Sequence, residues 1–96
     1  MCRVLSENPA KLYGMFPRKG IIAPGADADI VVYDPQADHV LRTEDMQSRA
    51  GYTPYEGFVT RGSVSQVWLR GQLAVENGQV LGGQRGRYIV RGKNML

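Results

Sequence analysis

Histidine and cysteine are nearly missing from these 96 residues, with one of each, His39 and Cys2. A hydrolytic metal centre draws three or more protein ligands onto one ion, commonly imidazoles or carboxylates, and a single histidine does not supply that set. A lone cysteine cannot close an internal disulfide and carries no mark of an oxidising compartment, so the cytoplasm is the expected location. Nowhere do about 18 apolar residues run together, and the opening Met1-Cys2-Arg3-Val4-Leu5 passes into Ser6, Glu7 and Asn8; neither a membrane span nor a signal peptide is expected. No serine sits in a Gly-x-Ser-x-Gly elbow. The glycines from Gly82 to Gly86 lack the Lys-Ser/Thr ending of a phosphate loop.

What is present is the composition of an ordinary globular chain, 43% hydrophobic and 22% charged, far from the disordered corner. Ninety-six residues make one small domain or a piece of a larger one. A chain this short buries only about two-thirds of the surface it exposes unfolded, so a partner surface would help it. The net charge is +3, but the arginines are scattered from Arg3 to Arg91. The tightest basic group, Arg85, Arg87, Arg91 and Lys93, alternates with glycine and apolar residues and reads as a solvated tail, so no nucleic-acid partner is expected.

Local punctuation predicts one short helix at the N-terminus. Ser6 reads as its cap, Glu7 suits the dipole of its first turn, and Gly14 closes it after Tyr13, with Pro9 breaking it from any earlier helical turn. Pro17, Gly20, Pro24 and Gly25 punctuate a connector in which Ile21 and Ile22 are the residues expected to be buried. Residues 30–33, Ile-Val-Val-Tyr between Asp29 and Asp34-Pro35, read as a strand buried on both faces. His39-Val40-Leu41 suggests a minor strand, and Thr43 reads as the cap of a single helical turn. Residues 48–63 form a glycine-rich loop whose Tyr52, Tyr55 and Phe58 should pin it to the body. Residues 64–70 and 73–76 read as a hairpin turning at Gly71-Gln72; Asn77-Gly78 is a second turn, leading into residues 79–81 to complete a three-stranded meander. The expected core is Ile30, Val32, Val67, Leu69 or Trp68, Leu73 and Val75. After Leu81 only an extended arm around Tyr88, Ile89 and Val90 is expected.

Candidate chemistry is sparse. His39, beside Asp38 on a surface turn, reads as a solvated residue. Asp27 and Asp29, two residues apart, could bind a hard cation or act as an acid–base pair, but at a strand start they read as acceptors of backbone hydrogen bonds. Met15, Phe16 and Trp68 read as packing residues.

Several strings taken together are more specific than any alone. Asn8-Pro9-Ala10-Lys11-Leu12-Tyr13-Gly14-Met15 is followed by Pro17-Arg18-Lys19-Gly20, then by residues 22–29, Ile-Ala-Pro-Gly-Ala-Asp-Ala-Asp, and the strand. Tyr52-Thr53-Pro54-Tyr55-Glu56-Gly57, Val67-Trp68-Leu69-Arg70-Gly71, Asn77-Gly78 and Gly86-Arg87-Tyr88 keep the order. Over nearly its whole length the chain resembles the C-terminal region of cyclic-amide amidohydrolases of the hydantoinase and dihydropyrimidinase branch. The motif positions carrying the resemblance are Pro9, Gly14, Pro17, Gly20, Gly25, Asp27, Asp29, Gly57, Gly71 and Gly78.

The resemblance implies a mainly β fold: a partial β-sandwich, made of the C-terminal strands of a composite domain, with one short N-terminal helix. Residues 1–20 would be the last barrel-associated helix and its linker, 21–81 the sandwich segment and 82–96 the C-terminal arm. In such a family a TIM barrel holds two metal ions through histidines, an aspartate and a carboxylated lysine. No position here matches a metal ligand, a catalytic residue or a substrate contact, and Lys11 and Lys19 belong to the helix and linker motif. The resemblance thus implies a segment of a zinc-dependent cyclic amidohydrolase that binds no cofactor and is inactive by itself. The other reading is an assembly module, or the tail of a non-catalytic dihydropyrimidinase-related scaffold. Pro9 and Pro54-Tyr55-Glu56-Gly57 stand closer to the enzymes. The expected partners are a second copy or the missing N-terminal part of the fold.

Overall fold

A computed structural model describes residues 1–83 and 86–96. The chain is mainly β. A helical segment opens it, a wide turn at Arg3–Glu7 running into α1 at Asn8–Leu12. A four-stranded antiparallel sheet then has the order β1-β4-β5-β6, from Ile30–Asp34, Ser63–Leu69, Gln72–Glu76 and Gln79–Val80. A two-stranded ribbon pairs β2, His39–Val40, with β3, Val59–Thr60.

The helix does not break at Pro9. Cys2, Glu7 and Asn8 all hold right-handed helical dihedrals, and the Asn8 N–H reaches back five residues to the Arg3 carbonyl. That wide turn opens the backbone just ahead of Pro9, which is how a ring that would clash with the carbonyl four residues earlier is accommodated. Ser6 therefore lies within the helical stretch and caps nothing. Glu7 pairs with Lys11 one turn on, at 2.7 Å. The helix does end after Tyr13: Gly14, at φ +74°, donates to the Lys11 carbonyl and Met15 to that of Ala10, a double-bonded left-handed cap. Phe16–Pro17 is cis.

The meander forms as its turns require. Asn77-Gly78, at φ 51° and 81°, is a primed two-residue turn. The preceding hairpin turns one residue earlier than expected, at Arg70-Gly71 (φ 47° and 78°), because a primed turn needs positive φ at both central residues and Gln72 already pairs with Leu69. The strand predicted at residues 30–33 adds to the far side of β4 through Ile30↔Trp68 and Val31↔Val67. It is an edge strand, so Val31, Val32 and Tyr33 are exposed rather than buried on both faces.

The expected core is likewise shallow. Val67, Trp68, Leu69, Leu73 and Val75 are half-buried, Val32 is exposed, and among the described residues Ala10 is the one fully buried hydrophobic side chain. A single sheet buries a face only against a second layer, which these residues do not supply. Ile21 and Ile22 are exposed for the same reason. In the aromatic loop Tyr55 and Phe58 meet edge to face at 5.6 Å, yet both rings and Tyr52 stay exposed instead of packing on the body. A helical turn does form at Thr43–Asp45, but Thr43 is not its cap: its hydroxyl donates to Glu56 Oε2 at 3.0 Å. The described residues of the arm have no regular structure and return to α1, Gly92 N–H donating to the Gly14 carbonyl and Met95 N–H to that of Lys11. Gln84 and Arg85, part of the expected glycine-rich loop and basic tail, lie outside the described residues.

Candidate functional site

The densest polar arrangement grows from the connector. Asp27 and Asp29 stand two residues apart across a tight three-residue turn, in which the Asp29 N–H donates to the Asp27 carbonyl at 2.9 Å. Lys19 lies between them: its Nζ is 2.9 Å from Asp27 Oδ2 and also contacts Asp29 Oδ2. Arg18 Nε adds a second cation on Asp27 at 3.0 Å, while the Asp27 N–H donates to the Arg18 carbonyl at 2.9 Å. The other carboxylate oxygen of Asp29 accepts the Arg70 N–H at 2.9 Å, and Gly71 N–H donates to the Ala28 carbonyl. This clasp ties the connector to the β4–β5 turn across some forty residues of sequence. Gly20 lets the chain pass the helix here, since a Cβ on it would stand 2.6 Å from that of Ala10.

The clasp sets its own protonation. Hydrogen bonds from Lys19 and Arg18 hold the Asp27 carboxyl below the usual range. Burial works to raise Asp29, but the Lys19 ammonium and the Arg70 N–H outweigh it and the net direction is downward. Burial works against the Lys19 charge too, and the two carboxylates outweigh it, so its pKa is raised. Two carboxylates held ionised around an ammonium are poor general acids, and the position a hard cation would take between them is filled by Nζ. The expectation that these aspartates accept backbone hydrogen bonds holds for Asp29, through the Arg70 N–H, whereas the Asp27 carboxylate pairs with the Lys19 and Arg18 side chains, ion pairs that were missed. Their signal was the i, i+2 spacing of the carboxylates.

A second polar cleft, about 480 Å³, is lined by Asp34, His39, Ser63, Ser65 and Asn77 among others. Two of its groups are already engaged: Asp34 Oδ1 accepts the Gln36 N–H, and Ser65 Oγ donates to the Val32 carbonyl at 3.2 Å. His39 is exposed on β2. Among the described residues no three His, Cys, Asp or Glu side chains converge as metal ligands, so the residues present do not fit a catalytic metal. No described helix is long and apolar enough to cross a membrane.

Pro9 sits in α1, Pro17 follows the cis bond, and Gly25 and Gly57 take positive φ in loops, with Gly57 N–H donating to the Leu41 carbonyl. The Amidohydrolase family model matches residues 1–74. The chain belongs to the amidohydrolase family. Among its relatives in that family, D-hydantoinase of Ralstonia pickettii is 41% identical over 91 residues, covering 94% of this chain and 20% of that protein. D-hydantoinase of Geobacillus stearothermophilus is 40% identical over 91 residues, 94% of this chain and 19% of that protein. In three dimensions a D-hydantoinase structure superposes with TM-score 0.81 at 42% identity, over 92% of this chain and 20% of that one. The D-hydantoinase (dihydropyrimidinase) of Thermus sp. gives 0.76 at 43%, over 90% and 19%. The chain thus spans about one-fifth of the length of the amidohydrolases it matches.

Proposed function

We propose that this chain is the C-terminal, sheet-forming segment of a zinc-dependent amidohydrolase that opens cyclic amides of the hydantoin or dihydropyrimidine type, and that it is not catalytic by itself. The observation that carries the reading is the likeness to D-hydantoinase over 92% of the chain, combined with a clasp whose carboxylates are already committed to Lys19. In this reading the metal and its ligands come from the remaining polypeptide, and these residues supply a sheet, a helix end and an arm. A cytoplasmic location goes with it, since Cys2 has no second cysteine in the sequence to pair with.

Grafting tests the reading. The matched fifth of the Ralstonia pickettii D-hydantoinase is replaced by these 96 residues and hydantoin ring opening is assayed with zinc. The graft is expected to turn over substrate and the isolated chain is not. A correctly assembled graft without activity, or turnover by the isolated chain above the metal blank, overturns the proposal. Reading the genomic sequence ahead of Met1 for an in-frame barrel with a His-x-His motif is an independent check.

A further inference from the structure

Three asparagines stand in the sequence, Asn8, Asn77 and Asn94. An asparagine loses its side-chain amide when the backbone nitrogen of the next residue attacks its Cγ, so the residue that follows decides its chemistry. Asn8 precedes Pro9, whose ring nitrogen has no hydrogen to give up. Asn94 precedes Met95, whose N–H is held by the Lys11 carbonyl at 2.9 Å, and its own Oδ1 accepts the Leu96 N–H at 2.8 Å. Asn77 precedes Gly78, and neither restraint applies. The Asn77 carboxamide and the Gly78 N–H have no hydrogen-bond partner among the described residues, and nothing lies within 4 Å of a Cβ on Gly78. Both residues are exposed, on the polar cleft that also carries His39 and Ser65.

The closed turn does not itself bring the reacting atoms together. At φ 51° and 81° it is a primed hairpin turn, and ring closure needs the Asn77 backbone to swing the Gly78 nitrogen toward Cγ. What holds the turn shut is slight. β6 makes two residue pairs with β5, Val75↔Val80 and Glu76↔Gln79, extended by the Leu81 N–H on the Ala74 carbonyl at 2.8 Å. Val80 is 64% exposed, so little apolar burial opposes local opening. The bond from the Asn77 N–H to the Ser65 carbonyl at 2.9 Å anchors the residue on the side away from the reacting peptide.

We propose that Asn77 is a site of self-modification, deamidating through a cyclic imide formed with Gly78. The Gly78 nitrogen gives its proton to solvent base and bonds to Asn77 Cγ. The Cγ–Nδ2 bond breaks, and the nitrogen takes up a proton from water and leaves as ammonia. Water then opens the ring at one or other carbonyl, leaving an aspartyl or an isoaspartyl residue at position 77. The isoaspartyl form routes the main chain through the side-chain methylene. That lengthens a turn which closes on two residues of ordinary backbone, so β6 comes away, whereas an Asp-Gly turn keeps the hairpin. This inference concerns the chain's own backbone and does not depend on the proposed activity.

Peptide mapping by mass spectrometry of the 96-residue chain, held folded in buffer, tests the site. Conversion of amide to acid is expected at residue 77 and not at Asn8 or Asn94, faster in alkaline than in mildly acidic buffer. Protein isoaspartate methyltransferase with labelled S-adenosylmethionine should mark the product. Asn77→Gln should lose both the conversion and the label. Freshly prepared Asn77→Asp should keep the Leu81 amide protected from exchange, while the labelled fraction of the parent chain loses that protection. Four outcomes overturn the proposal: no conversion at residue 77 in the time the urea-unfolded chain converts, conversion at Asn8 or Asn94 that keeps pace, converted chain without the isoaspartyl label, or a labelled fraction in which Leu81 stays protected.

Discussion

Gly14 and Gly92 meet backbone to backbone. The Gly92 N–H donates to the Gly14 carbonyl at 2.7 Å, and a Cβ on Gly14 would stand 2.1 Å from the Gly92 carbonyl oxygen. The helix cap and the dock for the arm are therefore one feature.

Gly14→Ala should cost at least about 1–2 kcal/mol from the left-handed backbone and should also release the arm. Amide exchange at Gly92 and Met95 would then speed up together. Gly92→Ala is the contrast: its Cβ lies 3.4 Å from the Gly14 carbonyl oxygen, an ordinary contact, and the arm should remain protected. Equal exchange in the two variants would disprove the shared feature.

The clasp makes stability depend on pH at both extremes. Asp27 and Asp29 have lowered values in the folded chain, so their contribution is complete above about pH 4 and is lost as pH falls through the lowered values. Lys19 has a raised value, so its contribution is complete below about pH 10 and is lost as pH climbs through that value. Urea midpoints are expected to fall at both ends. In Lys19→Met the alkaline fall should shrink, and the acid fall should shrink with it because Asp29 loses its ammonium. Unchanged pH profiles in the variant would rule the clasp out as their source.

Gly62 and Gly71 both take positive φ, but their surroundings differ. A Cβ on Gly62 would stand 2.2 Å from Tyr33 Oη and 2.9 Å from the Asp34 carbonyl, whereas nothing lies within 4 Å of one on Gly71. Gly71→Ala should cost about 1–2 kcal/mol from backbone strain alone. Gly62→Ala should cost at least about 1 kcal/mol more, because the Tyr33 hydroxyl must leave the Arg61 carbonyl to which it donates. Chemical denaturation of the two variants settles the order, and equal losses would refute it.

What the sequence determined by itself is local. Asn77-Gly78 and Gly71 sit where primed turns need positive φ, Gly14 where a helix must close, and residues 30–33 where β-branched side chains form a strand; each depends on neighbours within a few positions. The family, too, was legible in short strings from Asn8 to Tyr88. Tertiary structure alone decided what lies beside what. That residues 30–33 form an edge, that Lys19 stands between Asp27 and Asp29, and that the Asp29 carboxylate reaches Arg70 are contacts across 8 to 41 residues, which no local pattern encodes. The same holds for exposure: hydrophobic alternation says which side chains share a face, but burial requires a second layer. Among the described residues no second layer covers the sheet, and Val31, Tyr33 and Val80 remain open to water.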